Sequence, residues 1–246
     1  MTSPLSTYRE GSLHAALKAM YARPGDRVET SIEGFVVDVV RPDELVEVQT
    51  GSFASAAVKL RLLARNHRIR LVYPIVLERR LVRVDVDGAI LYSRRSPRRG
   101  SPVDLFDQLV AFPELLASPN FSLDLVLIRE EEIRGPVPPG ARFRRPRQWW
   151  RLDRRLLEVV DTLRVVEAAD LVRLLPPLPD PFTSADVSAL AGCPRRLASR
   201  AVYCLERSGA SGRTGRLGRL VTYRLGAGRG QPAAIVATDG TGPGDQ

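Results

Sequence analysis

Asp38, Glu47 and Gln49 stand out in this 246-residue chain because their spacing brings them together on a hairpin. Phe35–Val40 and Leu45–Thr50 are apolar, β-branched stretches, and the intervening Arg41-Pro42-Asp43-Glu44 is turn-forming. With those four residues as the loop, Val40 faces Leu45, Asp38 faces Glu47 and Val36 faces Gln49. Strand alternation then puts the three polar side chains on one face, among valines and leucines. Two carboxylates across one rung of an apolar hairpin repel each other, and hard oxygen ligands at one point suit Mg2+ (or Mn2+). The surrounding segment is acidic as a whole, with Asp26, Glu29, Glu33, Asp38, Asp43, Glu44 and Glu47 against Arg27 and Arg41. A structural alternative needs no metal and pairs Glu47 with Arg70 or Arg61.

The elements around the hairpin follow from pattern. Ser12 is placed to cap a helix over Leu13–Ala22, which Pro24-Gly25-Asp26 ends. A short segment, Arg27–Glu33, precedes Gly34. Ser52–Arg65 carries Phe53, Ala57, Leu60 and Ala64 on one helical stripe, and Ile69–Val76 reads as a buried strand. The order is helix, three strands, helix, strand.

This order, with an Asp on one strand and Glu47-Val48-Gln49 on the next, resembles the restriction-endonuclease-like, or PD-(D/E)xK, nuclease superfamily over residues 10–76. The resemblance implies an α/β fold with a mixed-sheet nuclease core over residues 1–134. It also implies a metal site at Asp38 and Glu47, with Glu10 as a third acid. The residue after the spacer, usually Lys in that superfamily, helps place the attacking water; here it is Gln49. Val37 stands where Pro is usual. Lys59, one of only two lysines in the chain, lies on the following helix, where it supplies the missing charge or is a solvated helix residue. His14 and His67 read as surface or helix-end residues.

Beyond this core, Leu81–Val86 and Ala89–Ser93 form a hairpin across Asp87-Gly88 that could extend the sheet. Short helices are expected at Val103–Val110 and Pro113–Ala117, and a strand at Phe121–Arg129. Residues 135–164 read as a Pro/Arg-rich basic linker with a helical pattern at Leu156–Leu163. Its run Arg142–Arg155 holds seven arginines against Asp153, with Trp149-Trp150 inside it. Arg144, Arg145, Arg147 and Trp149 are candidates for phosphate contact and base stacking; the tryptophans could equally anchor the C-terminal part to the core.

Residues 165–226 resemble a winged-helix domain. Ala168–Leu175 is the expected first helix, and Thr183 or Ser184 caps Ala185–Ala191. Gly192 breaks the chain, and Pro194 starts a longer helix ending at Ser208. Ser211–Leu225 then reads as two strands around a Gly/Arg-rich tip. Arg195, Arg196 and Arg200 on the long helix and Arg213, Arg216 and Arg219 on the wing are the expected DNA contacts. Residues 227–246 are Gly-rich and read as a disordered tail.

Composition agrees with a polyanionic partner: Lys+Arg is 37 against Asp+Glu 28, a formal net charge of +9. Cys193 and Cys204 are too few for a zinc ribbon or a disulfide framework and read as core packing in a cytoplasmic protein. No apolar run reaches the roughly 18 residues of a membrane span, so no membrane partner is expected. DNA is the expected partner, with self-association into a homodimer allowed. The leading reading is a Mg-dependent DNA endonuclease. The alternatives are a non-catalytic winged-helix regulator with a degenerate nuclease fold and an interaction module of a larger complex.

Overall fold

The computed structural model describes residues 11–137 and 149–226. The expectations for Glu10, Arg144, Arg145, Arg147 and the tail lie outside these residues.

Leu13 and Leu17 give α1 (Ser12–Tyr21) its buried stripe. Ser12 begins this helix rather than capping it: Gly11 is the N-cap, and the Ser12 N–H and hydroxyl both donate to Asp153. β1 (Arg27–Ile32), β2 (Phe35–Val40) and β3 (Leu45–Val48) form an antiparallel meander. The four-residue loop sets the expected register, with Val40 against Leu45 and Val39 against Val46. α2 (Ala57–Leu63) crosses to β4 (Ile69–Val84), which runs parallel to β3. β5 (Ile90–Arg95) folds back on the distal half of β4. α3 (Phe106–Leu109) lies between two 3-10 turns and leads to β6 (Phe121–Pro136), parallel to β4. β7 (Trp149–Val165) closes the edge antiparallel to β6. Among the described residues these make one seven-stranded mixed sheet in the order β1-β2-β3-β4-β6-β7, with β5 beside β4.

Both faces of the sheet are covered, which is why β3, β4 and β6 read as near-continuous apolar runs. On one face α1 sets Leu13 and Leu17 against Val39, Val46, Val48, Val72, Val126 and Ile128. On the other, α2 and α3 bring Leu60, Leu63 and Phe106 against Leu71 and Leu123. There Phe53 stacks on Phe112 at 5.0 Å, and Phe112 meets Phe121 edge-on at 5.9 Å. Each such fully buried side chain stabilises the fold by about 1.5–3 kcal/mol relative to exposure.

The C-terminal part comprises α4 (Ser184–Leu190), α5 (Arg195–Ser208) and a two-stranded sheet of β8 (Ser211–Leu217) and β9 (Leu220–Leu225). Thr183 caps α4 in a reciprocal box with Asp186. α5 stops at Gly209, whose φ of 87° is the left-handed conformation a helix terminator needs. Phe182 exchanges backbone hydrogen bonds with Tyr223, fastening the entry of α4 to β9. Leu197, Ala201, Cys204 and Leu205 of α5 belong to the same apolar core as Phe106 and Leu109, so α5 is continuous with the sheet's packing.

Two expectations are corrected. Leu156–Leu163 is part of strand β7, not a helix, so the described part of the supposed linker is the edge of the sheet. The boundary expected after residue 134 falls inside β6. The helix expected at Ala168–Leu175 is present as a 3-10 helix that ends one residue earlier, at Leu174, and opens on a box between Glu167 and Asp170. Among the described residues no helix is long and apolar enough to cross a membrane.

Candidate functional site at the parting of two strands

β2 and β3 pair at Val39–Val46 and Val40–Leu45, where the loop holds them. At the next position the Asp38 carboxylate accepts the Val48 N–H at 2.8 Å, a side chain taking a backbone donor. The acids therefore sit where the ladder gives way, and both are sheltered, at 15% and 13% side-chain exposure.

Their partners come from opposite sides of the sheet. α1 presents His14, whose Nε2 lies 3.1 Å from Asp38 Oδ1. α2 presents Lys59, whose Nζ lies 2.5 Å from Glu47 Oε2 and also donates to the Val36 carbonyl. Burial works to raise the Asp38 carboxyl, but hydrogen bonds from His14 and Val48 and the fields of His14 and Lys59 hold it below its ordinary value. For Glu47 burial comes first and the Asp38 charge second, and together they push it above its ordinary value despite Lys59. The two carboxyls are thus shifted in opposite directions, Asp38 downward and Glu47 upward.

Asp38, Glu47 and Lys59 are neighbours: Lys59 pairs with Glu47, and the charges of Asp38 and Lys59 both act on it, although the expected Asp38–Glu47 and Val36–Gln49 rungs are not part of the ladder. Neither Arg70 nor Arg61 is the partner of Glu47: Arg70 binds Glu44 and Arg61 binds Glu114. Gln49 lies one residue past β3 and its amide donates to the Ser52 carbonyl (3.1 Å) and the Ser55 hydroxyl (3.0 Å), bracing the following turn. His14 was read as peripheral; only the docking of α1 on the sheet reveals its contact with Asp38. Among the described residues no three His, Cys, Asp or Glu side chains gather as a metal cluster. Asp38 and Glu47 are the two carboxylates that could contribute oxygen ligands to a magnesium-type ion, which otherwise keeps most of its shell as water or substrate phosphate.

Residues 11–166 match the family described as Domain of unknown function (DUF8091). The chain belongs to the DUF8091 family. The family's domain runs from the first described residue to the end of β7, so it contains the whole sheet and the Asp38–Glu47 site. This DUF8091 chain is also 32% identical over 224 residues to an uncharacterized protein of Treponema pallidum (strain Nichols), covering 89% of this chain and 87% of the relative. No solved structure matches it.

Outside the DUF8091 domain the expected DNA contacts divide. Arg195 is exposed, and Arg216 and Arg219 stand exposed at the β8–β9 tip. Arg196 is 72% exposed although 3.6 Å from Asp107. Arg200 is corrected: its guanidinium binds the Asp107 carboxylate (2.7 Å) and carbonyl on α3, so it packs against the sheet domain instead of facing a groove. Arg213 is engaged by Glu206 at 2.7 Å. Within the DUF8091 domain, Trp149 is also corrected as an open stacking platform, because the Arg83 guanidinium lies 4.7 Å over its ring. The exposed side of α5 also carries Ser199 and Arg207, and Tyr203, a residue that no sequence pattern pointed to.

Proposed function

We propose that this protein is a metal-dependent DNA endonuclease whose nuclease-type core is the sheet domain and whose α4–β9 part is a winged-helix DNA contact. The observation that carries the reading is the Asp38–Glu47 pair at the parting of β2 and β3, with Lys59 beside it. The antiparallel meander followed by a helical crossover to a parallel strand agrees with the element order that resemblance to the PD-(D/E)xK superfamily implies. The net charge of +9 and the exposed Arg195, Arg196, Arg216 and Arg219 support a polyanionic partner.

Asp38 and Glu47 would hold Mg2+ or Mn2+, which supplies Lewis acidity and a lowered pKa for bound water. His14 orients Asp38 and keeps it ionised. Lys59 compensates Glu47, taking the charge role that Gln49 leaves vacant. Arg216 and Arg219 would hold the duplex by its phosphates.

A second reading, a non-catalytic DNA-binding regulator, is favoured by Gln49, whose amide is engaged in the 52–55 turn. A Mg2+- or Mn2+-dependent nicking assay on supercoiled and linear DNA separates the two. The endonuclease reading expects nicking that Asp38→Asn abolishes. Metal-independent binding without nicking would leave the regulator.

A further inference from the structure

A cleft of about 220 Å³ opens just past β3, walled in part by Thr50, Tyr73, Arg79, Arg98 and Arg154. Its rim is the segment from Ser96 to Gly100, pinned to β4 at both ends. The Ser96 N–H donates to the Arg79 carbonyl at 2.8 Å, and the Gly100 N–H to the Val76 carbonyl at 3.0 Å. Only glycine fits at residue 100, because a Cβ there would lie 2.4 Å from the Val76 carbonyl oxygen. This anchoring carries Arg98 to the cleft. Among the described residues its guanidinium makes no ion pair or hydrogen bond.

The wall behind it is held by ion pairs and packing. Arg79 and Arg154 clamp Glu130, which is fully buried, at 2.6 and 2.7 Å, and Arg154 also donates to the Thr50 carbonyl at 3.0 Å. Tyr73 wedges its ring edge-on against Phe53 at 4.7 Å, and among the described residues its hydroxyl has no hydrogen-bond partner. The carboxylates of the lining are already engaged: Asp107 by Arg200 at 2.7 Å and Asp104 by the Ser101 N–H at 3.1 Å. The groups that no described protein atom engages, the exposed Arg98 guanidinium and the Tyr73 O–H, are donors, so the fitting ligand is an anion rich in acceptors. An adjoining cleft of about 360 Å³ shares Arg98, Asp104 and Asp107 and runs to Arg196 at the start of α5.

We propose that this groove seats the phosphodiester backbone of a single nucleic-acid strand, one phosphate being held by Arg98 and the Tyr73 hydroxyl. The inference rests on the reading that the protein acts on nucleic acid, and it adds where a strand lies. The first cleft lies below the usual range of ligand pockets, about 300–1,000 Å³, and the second near its small end, so the pair of adjoining clefts suits successive units of one strand and not a duplex. Thr50 on the groove's lining follows Gln49 directly in the chain, just past the end of β3 at Val48.

The test is fluorescence anisotropy of the full chain with a short labelled oligothymidylate and, separately, a long duplex. Arg98→Ala should weaken the short strand about tenfold and Tyr73→Phe about threefold, with duplex affinity nearly unchanged. Arg65→Ala, which removes the same charge from an exposed site after α2, should leave the short strand nearly unaffected. Unchanged thermal melting of Arg98→Ala checks the fold. Equal losses from Arg98→Ala and Arg65→Ala, or none from either, overturn the groove. A wild-type chain that binds duplex but not the short strand also overturns it, while leaving the nucleic-acid reading intact. Binding of neither overturns both.

Discussion

Lys59 on α2 and His14 on α1 reach through opposite sides of one sheet to adjacent carboxylates, Lys59 to Glu47 at 2.5 Å and His14 to Asp38 at 3.1 Å. Each acid thus has its own cation-bearing or hydrogen-bonding partner, and the repulsion between the acids is divided between two helices. The arrangement couples the docking of both helices to the charge state of the hairpin.

Removing Lys59 should be costly because it leaves a sheltered carboxylate uncompensated. Lys59→Met is expected to lower stability by about 2–3 kcal/mol, less than a fully buried pair because both groups keep some solvent. Adding Glu47→Gln should restore most of that loss. Urea unfolding of the two variants checks it, and an additive second loss would sink the account.

Acid titration should reveal Asp38. Its folded carboxyl is held below its ordinary value, so its contribution is present above the unfolded pKa and is lost as pH falls through the folded one. Glu47 acts oppositely: its contribution is present below its unfolded pKa and is lost as pH rises through the raised folded value. Asp38→Asn should therefore flatten the acid limb of melting temperature against pH, and Glu47→Gln should not. Matching acid limbs for wild type and Asp38→Asn would refute the assignment.

Much of the site was legible because a hairpin's register follows from its loop. Pro42 and Asp43 fix a four-residue connection, and the Val40–Leu45 pairing comes with it. His14 was not legible, because the rotation of α1 on the sheet depends on distant residues such as Val126 and Ile128. β7 was misread for a specific reason. Its pairing with β6 shifts three times, each time leaving one extra residue on β7: Leu152, Leu157 and Val160. Those three side chains are exposed, and their insertion breaks the two-residue alternation into spacings that resemble a helix. Only the long partner strand decides the matter.

The contact of Arg200 with Asp107 should hold α5 to α3 measurably but weakly. A double-mutant cycle with Arg200→Ala and Asp107→Ala is expected to give a coupling of about 0.5–1 kcal/mol, given the partial exposure of both groups. Denaturant melts of the four proteins measure it. No coupling would mean that the apolar face of α5 alone sets its position.

If the β8–β9 sheet acts as the proposed wing, its arginines should differ in effect. Arg216→Ala with Arg219→Ala should weaken duplex binding to all sequences and reduce the log–log salt slope by about 2, one phosphate each. Arg213→Ala should change it less, because Glu206 already holds that guanidinium. Salt titrations of binding check the contrast, and an unchanged slope in the double variant would remove the wing from the interface.

The core that α5 shares with Phe106 and Leu109 has a consequence for inheritance. The family's domain ends at residue 166, yet a chain cut there would bare the apolar surface that α5 covers, and it should be prone to aggregate. The Treponema pallidum relative aligns over 89% of this chain, which reaches well past that point. The boundary of the recognisable domain and the boundary of the folding unit are therefore different. A recombination event that exchanged the C-terminal helices would have to exchange their landing surface on α3 at the same time.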